Sequence, residues 1–282
     1  MRTVFLNGHY VREDQAHIPI FDRGLLMADG VYEVTTVINK TLVDFDAHMS
    51  RLEKSLAAID IPCPYMPSEL LSVHKSLIRA NKLVEGLVYL QVTRGQQERD
   101  FVMPENPQPT VFAFTQAKTI LDNPAAKTGI RVISMPDARW LHRDVKSIQL
   151  LSSSLAKTAA VRQGKDDVWF VEDGLVTEGS TNNAFIVTRT GKIVTRDLGR
   201  ALLPGVTRAA VLQLAAQDGL DIEERAFSIA EAQAAAEAFI TSATTLVLPV
   251  VEVDGVAIGD GHVGPVAKAL RGLYLDAYAE QK

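Results

Sequence analysis

The sequence predicts an α+β protein built from two compact halves. Its 282 residues exceed the roughly 100–200 residues usual for one domain. Segments with helical periodicity and segments with hairpin signals occur in both halves, and they do not follow a regular β-α-β alternation. The absence of that alternation separates this chain from the doubly wound α/β class.

Composition and charge exclude several classes of protein. Hydrophobic residues make up 47% of the chain and charged residues 22%, which is typical of a globular protein and not of disorder. The net charge is −5, and Lys and Arg are dispersed along the chain, so no basic patch predicts a nucleic-acid partner. The chain is therefore expected to act on small molecules.

Cysteine usage and hydropathy predict a cytoplasmic protein. Cys63 is the single cysteine, so it cannot form an internal disulfide, and no Cys or His pair stands at the spacing of metal ligands. The segment from Met1 to Tyr10 lacks the apolar run of a signal peptide, and no stretch approaches the ~20 apolar residues that span a bilayer. We expect neither a metal site nor a membrane partner.

The first half of the sequence predicts a sheet with two helices. Residues 31–45 predict two strands joined by a turn at Asn39-Lys40. Apolar spacing predicts a helix from Asp46 that contains Arg51, and Pro67 marks the start of a second helix, which ends near Asn81. Two further strands are predicted at Leu87–Arg94 and Thr110–Thr115.

The segment 116–129 lacks periodicity and is rich in turn residues, which is typical of a linker. We therefore predict a small domain over residues 1–117, a linker over 118–128 and a larger domain over 129–282. In the larger domain the pattern predicts a strand at Ile130–Met135, a helix from about Ser147 to Gln163, and an antiparallel meander with turns at Asp173-Gly174 and Thr190-Gly191. A helix follows Gly205, a capping box at Ser228 and Glu231 opens another, and the last predicted strand is Ala238–Ser242.

Lys146 is the candidate reactive residue. It lies between apolar residues at the end of a predicted element, where burial favours the neutral amine. A neutral amine forms a Schiff base with an aldehyde cofactor such as pyridoxal phosphate. A lysine beside a helix start is more often a solvated charge, so this residue needs partners before a function is assigned.

Two further features supply candidate partners. Gly205-Val206-Thr207 at a helix start offers backbone N–H groups and a hydroxyl to a phosphate, although most such turns only cap the helix. Glu178 follows a hairpin strand and is either a solvated turn residue or the carboxylate that keeps a pyridine nitrogen protonated.

Four segments together resemble the fold type IV pyridoxal-phosphate-dependent aminotransferases. They are Asp22-Arg23-Gly24 through Asp29-Gly30-Val31-Tyr32-Glu33-Val34, Arg139-Trp140-Leu141 through Lys146-Ser147, Glu178-Gly179-Ser180-Thr181-Asn182-Asn183, and Leu203-Pro204-Gly205-Val206-Thr207-Arg208. Within that family the chain is most similar to the D-amino acid transaminases. The resemblance implies a small N-terminal α/β sandwich, a larger C-terminal pseudo-barrel and a homodimer.

The resemblance also implies a role for individual residues. Lys146 would form the Schiff base with pyridoxal phosphate, Glu178 would pair with the ring nitrogen, and Arg139 would support the ring side of the site. The phosphate would be surrounded by Arg51, Val206, Thr207, Ala243 and Thr244, and the substrate by Tyr32, Val34, Tyr89, Arg99, Ser180 and Thr181. The implied reaction is a ping-pong transfer of the amino group of a D-amino acid, such as D-alanine, to a 2-oxo acid, such as 2-oxoglutarate.

The chain departs from the family where the substrate carboxylate is bound. D-amino acid transaminases use a Tyr, an Arg and a His there; Tyr32 and Arg99 match the first two, and Phe101 stands in place of the His. Losing that donor removes about 0.5–1.5 kcal/mol of hydrogen bonding. An (R)-selective amine transaminase is therefore the main alternative, ahead of a branched-chain L-amino acid transaminase and an aminodeoxychorismate lyase of the same fold.

Overall fold

A computed structural model describes residues 1–279 of the chain. The chain forms two compact units. The first unit contains Met1–Thr119 and Val145–Gln149, and the second contains Ile120–Asp144 and the residues from Leu150 onward. Both units combine helices with an extended sheet, which confirms the predicted α+β class.

The first unit is a six-stranded antiparallel sheet with helices on one face. Its elements are β1 (Thr3–Leu6), β2 (His9–Arg12), α1 (Arg23–Met27), β3 (Gly30–Ile38), β4 (Thr41–Leu42), α2 (Phe45–Ala58), α3 (Pro67–Ala80), β5 (Gly86–Thr93) and β6 (Thr110–Ala117). The strands are ordered β2-β1-β6-β5-β3-β4. The predicted turn at Asn39-Lys40 is confirmed, because both residues have positive φ, as a two-residue hairpin turn requires.

Helices α2 and α3 cover one face of this sheet. Their apolar stripes include Leu52, Leu56, Leu70 and Leu77, which are at most 2% exposed. Strand residues alternate between this buried face and the opposite, half-buried face, so β3 carries two distinct surfaces.

The second unit is a nine-stranded mixed sheet that curls, with helices around it. Its elements are α4 (Ala125–Thr128), β7 (Ile130–Pro136), α5 (Leu151–Arg162), β8 (Asp167–Glu172), β9 (Leu175–Gly179), β10 (Asn183–Val187), β11 (Ile193–Thr195), α6 (Val206–Gln217), β12 (Ile222–Glu224), α7 (Ile229–Ala234), β13 (Glu237–Ser242), β14 (Leu246–Val253), β15 (Val256–Ala257) and α8 (Pro265–Ala279). The strand order is β12-β11-β10-β13-β14-β7-β8-β9, and β15 pairs with β14. Trp169, Phe227 and Ile240 belong to its apolar core.

Three details of the sequence prediction are wrong. The helix predicted from Ser147 begins at Leu151, because residues 146–148 instead bond to β3. Ala238–Ser242 is not the last strand, since β14 and β15 follow it. The meander is interrupted, because β10 pairs with β13, and β7 lies parallel to both β8 and β14. These parallel contacts join strands far apart in the chain, so no local turn signal predicts them.

Within residues 1–279, no helix combines the length and the apolar character required to cross a membrane.

Candidate active site

Lys146 is held by its main chain in the first unit. Its carbonyl accepts from Tyr32 N–H at 3.0 Å, its N–H donates to Ser55 Oγ at 3.2 Å, and Ile148 N–H donates to Gly30 C=O at 3.1 Å. The side chain is half-buried, and Nζ lies 4.2 Å from the centre of the Tyr32 ring. Among residues 1–279, Nζ has no hydrogen-bond or ion-pair partner. The backbone is therefore fixed while the amine remains available.

The predicted substrate residues of β3 and β5 share the half-buried face of the first sheet. Tyr32 and Val34 alternate with the buried positions of β3, and Val34 is the register partner of Tyr89 on β5. The Tyr32 and Tyr89 rings stack at 5.5 Å, and Tyr89 also stacks on Phe114 at 4.9 Å. Burial raises the pKa of Tyr89, so this phenol stays neutral. The surface beside Lys146 is aromatic and uncharged.

Arg51 is engaged by a buried carboxylate. Its Nε and Nη2 each donate to Glu33 at 2.8 Å, and His48 Nδ1 lies 2.7 Å from Glu33 Oε2. Burial alone raises the pKa of Glu33, but the charge and hydrogen bonds of Arg51 lower it to about 2. Glu33 is therefore ionised and orients the guanidinium on α2. Whether Arg51 also meets a phosphate stays a prediction.

Arg99 lies on an exposed loop, and its guanidinium carbon is 5.3 Å from the centre of the Phe101 ring. The Phe101 side chain is largely exposed, and the contact is a cation–π pair. Arg23 supports this loop from the buried side by donating to the Asp100 carbonyl at 2.6 Å and to Asp29 at 2.7 Å. The loop thus presents Arg99 against an aromatic ring where the family has an imidazole.

In the second unit, Glu178 is a buried carboxylate whose two oxygens receive different donors. Arg139 Nη1 donates to Oε1 at 2.6 Å. Asn183 Nδ2 and Leu203 N–H both donate to Oε2 at 3.1 Å. Glu178 is 4% exposed, which excludes the reading as a solvated turn residue. Donors of this kind stabilise the ionised form of a carboxylate.

Asn183 connects Glu178 to the turn that precedes α6. Its amide also donates to the Leu203 carbonyl at 2.9 Å, and its Oδ1 would lie 2.0 Å from a Cβ placed on Gly205. The same residue is the register partner of Thr241 at the end of β13. Asn183 therefore brings the carboxylate, the α6 start and the end of β13 into one arrangement within this unit.

The residues around the α6 start fit an anionic group. The first N–H groups of a helix have no intrahelical partners, and no side chain caps α6 at Gly205. The hydroxyl of Thr207, which is 3% exposed, has no partner among residues 1–279, and the Thr241 hydroxyl is buried and equally unpartnered there. Free donors at a helix N-terminus, with a favourable dipole, are the chemistry that a phosphate requires.

The remaining predicted residues lie in turns of the second unit. Ala243 and Thr244 form the half-buried turn between β13 and β14, where Ser242 Oγ and Thr245 Oγ1 are 2.7 Å apart. Ser180 is buried and its hydroxyl donates to Asp167 at 2.5 Å, whereas Thr181 is exposed. The Ser180 hydroxyl therefore already has a structural partner.

Sequence reasoning missed three residues that organise these groups: Glu33, Asp137 and Asn183. A signal existed for Glu33, because a carboxylate at a buried strand position requires a cationic partner. Asp137 binds Arg139 through two hydrogen bonds to its guanidinium, and only the folded chain reveals this.

Comparisons with known proteins agree with this chemistry. The family model described as amino-transferase class IV matches residues 30–253. The chain is 38% identical over 267 residues to a D-alanine aminotransferase of Bacillus licheniformis, covering 94% of this chain and 93% of that protein. It is 34% identical over 275 residues to a D-alanine aminotransferase of Listeria monocytogenes serotype 4b (strain F2365), covering 97% and 95%.

Its fold is similar to that of a solved branched-chain amino acid aminotransferase of Escherichia coli. The TM-score is 0.90 at 24% identity, and the match covers 98% of this chain and 94% of the other. At 24% identity, this structural similarity is evidence for the fold alone. Together with the family match over most of the chain, it shows that the chain belongs to the class IV aminotransferases, whose cofactor is pyridoxal phosphate.

Proposed function

We propose that this chain is a D-amino acid transaminase that passes the amino group of a D-amino acid, such as D-alanine, to a 2-oxo acid, such as 2-oxoglutarate. Two relatives of 38% and 34% identity, both named D-alanine aminotransferases, support the substrate class. The observation that carries the chemistry is the Lys146 amine, which has a fixed backbone and no polar partner among residues 1–279.

Lys146 serves both to hold the cofactor and to move a proton. When bound, pyridoxal phosphate supplies an aldehyde that condenses with amines and a ring that accepts the electron pair released at the substrate Cα. The Lys146 amine, once displaced by the substrate, takes the Cα proton. The Tyr32 ring packs beside this amine, with its centre 4.2 Å from Nζ.

The cofactor is proposed to be held at its ring and at its phosphate. Glu178, oriented by Arg139 and Asn183, pairs with the ring nitrogen and favours its protonated form. The phosphate takes the α6 N–H groups at Val206 and Thr207, the turn at Ala243 and Thr244, and the Arg51 guanidinium.

The substrate is proposed to lie along the aromatic surface of β3 and β5, which holds Tyr32, Val34 and Tyr89. Arg99 is proposed to bind the α-carboxylate with Tyr32, and Ser180 and Thr181 are also proposed substrate contacts. The proposal includes a homodimer, which the family resemblance implies, and a cytoplasmic location, which the single cysteine and the hydropathy of the sequence predict. Sedimentation equilibrium of the holoenzyme tests the dimer.

The second candidate is an (R)-selective amine transaminase, and Phe101 is the observation that favours it. The Phe101 ring stacks on Arg99 and offers no hydrogen bond to a carboxylate. If carboxylate binding is weak, (R)-1-phenylethylamine will react at a rate comparable to D-alanine. Restoring the donor with Phe101→His is then expected to raise the preference for D-alanine about tenfold, which corresponds to one hydrogen bond to a charged group.

A half-reaction screen decides between these functions. D-amino acids, L-amino acids and (R)-amines are added singly while the absorbance of the lysine-bound cofactor is followed. D-alanine is expected to discharge it and L-alanine to leave it unchanged. Reaction with branched-chain L-amino acids alone would overturn the proposed substrate class, and release of pyruvate without an amino acceptor would identify a lyase.

The role of Lys146 has a separate test. After borohydride reduction, the wild-type chain is expected to retain the cofactor covalently, and Lys146→Ala to lose it on denaturation. Turnover by Lys146→Ala is expected to fall at least a thousandfold, roughly the value of a lost general base. Lys127→Ala removes a surface lysine whose side chain is 78% exposed and serves as the control. Covalent retention by Lys146→Ala contradicts the assignment.

A further inference from the structure

Asp137 is a buried carboxylate to which the family resemblance assigns no role. It follows β7, and its side chain is 0% exposed. Arg139 reaches it three times, through its backbone N–H at 3.2 Å, Nε at 2.9 Å and Nη2 at 2.7 Å. Thr177 Oγ1 donates to it at 2.7 Å. So many donors on one carboxylate keep it ionised although burial opposes ionisation.

These contacts fix the direction in which the Arg139 guanidinium points. Nε and Nη2 are bound to Asp137, and the guanidinium carbon lies 4.6 Å from the centre of the Phe170 ring, so the plane of the group is fixed. The remaining terminal nitrogen, Nη1, donates to Glu178 at 2.6 Å. Asp137 thus determines where Arg139 contacts Glu178.

Asp137 offsets the positive charge that Arg139 brings to Glu178. Asp137 and Glu178 both pair with Arg139, so two carboxylates share one guanidinium. Arg143 also lies 3.3 Å from Asp137, and it pairs with Glu172 at 2.8 Å. Hydrogen bonds from Arg143 and the positive charge of Arg196 lower the pKa of Glu172. A carboxylate bound to Arg139 makes a further positive charge near Glu178 more favourable than Arg139 alone would allow.

We infer that Asp137 is a positioning residue that orients Arg139 towards Glu178, offsets the Arg139 charge there, and thereby favours a protonated ring nitrogen in the bound cofactor. The inference rests on the proposed function, in which Glu178 meets that nitrogen. Replacing Asp137 by Asn removes the charge that offsets Arg139 and turns an N–H group of the new amide towards Arg139. Both effects disfavour a cation at Glu178.

Glu172→Gln is a matched control for Asp137→Asn. It also removes one negative charge from this region, but Glu172 contacts Arg143, and its side chain is 34% exposed. Among residues 1–279, its side-chain hydrogen bonds go to Arg143 and not to Arg139. A difference between the two variants therefore reports the position of Asp137, not the net charge.

The experiment measures the ¹⁵N chemical shift of the ring nitrogen in holoenzyme loaded with ¹⁵N-labelled pyridoxal phosphate, as a function of pH. For Asp137→Asn the pH at which half of the ring-nitrogen proton is lost is expected to fall by about one unit or more, a tenfold change in the protonation equilibrium. Glu172→Gln is expected to match the wild type. Equal curves for Asp137→Asn and wild type, or equal shifts in both variants, overturn the inference.

Two outcomes are kept separate by design. If the wild-type chain does not bind the cofactor, or binds it with an unprotonated ring nitrogen, the proposed role of Glu178 fails before any variant is compared. If Asp137→Asn does not fold, as judged by circular dichroism and gel filtration, Asp137→Ser decides instead. That change also removes the Asp137 charge and is expected to lower the same midpoint by about one unit or more; an unchanged curve overturns the inference.

Discussion

Replacing Glu33 by Gln tests the buried pair that holds Arg51. Glu33 is 0% exposed and accepts two hydrogen bonds from Arg51 and one from His48. The amide has almost the same shape, so packing is preserved while the charge is lost. The side chain of Arg51 is only 10% exposed and becomes a buried cation without its carboxylate.

The expected cost is large. Removing one partner of a buried ion pair lowers the free energy of unfolding by about 3–5 kcal/mol, because the other charge remains desolvated. The new amide also turns one N–H group towards a donor of Arg51 or towards His48. We expect Glu33→Gln to lose about 3 kcal/mol at pH 7.

The loss should depend on pH in a defined direction. The pKa of Glu33 is about 2 in the folded chain against an ordinary value of 4.5, because Arg51 stabilises the carboxylate. At pH values above the ordinary pKa of 4.5, this lowered pKa stabilises the fold. The contribution is lost as the pH falls from 4.5 towards 2. The wild type and Glu33→Gln should therefore converge in acid.

Urea denaturation of the apoprotein between about pH 3 and pH 7 measures both effects. Glu53→Gln, on the exposed side of the same helix, is the control and is expected to change the free energy of unfolding by less than about 0.5 kcal/mol. A Glu33→Gln variant within about 1 kcal/mol of the wild type at pH 7, with a parallel pH profile, would refute the reasoning.

Three other changes test the remaining architecture. Gly205→Ala places a Cβ 2.0 Å from Asn183 Oδ1, so cofactor affinity is expected to fall about tenfold or more by equilibrium dialysis, while Gly199→Ala, with nothing within 4 Å, leaves it unchanged. Burial keeps His74 neutral and lowers its pKa from 6.5 to about 4. Acid therefore favours the unfolded chain as the pH falls below 6.5, by about 3 kcal/mol at pH 4. In urea titrations at different pH values, the stability of His74→Gln should depend less on pH over this range. Arg271→Met leaves the carbonyls of Ile120, Thr245 and Val247 without their buried donor and should lower the free energy of unfolding by about 3 kcal/mol, whereas Lys268→Met on the exposed side of α8 should have little effect in the same urea titration.

The sequence alone determined the features that depend on neighbouring residues. Apolar spacing predicted α2 and α3, and the positive-φ residues Asp173 and Gly174 form the hairpin turn that the dipeptide indicated. The order of the lysine, carboxylate and Gly-x-Thr motifs identified the family, because each motif is local and its residue types are dictated by the cofactor. These properties need no knowledge of which strands pair.

Only the tertiary structure decided which partners the charged residues have. The expected contact of Arg51 with a phosphate stays a prediction, and only the fold shows that its guanidinium pairs with Glu33, 18 residues away in the chain. The sequence predicted a helix from about Ser147, but residues 146–148 do not belong to α5, because their main-chain groups bond to β3, more than a hundred residues earlier. Asp137 and Asn183 became significant only when β7, β9 and β10 brought them to Glu178. Burial and hydrogen bonding between distant segments set the orientation and protonation of a side chain, and neither is encoded in local sequence pattern.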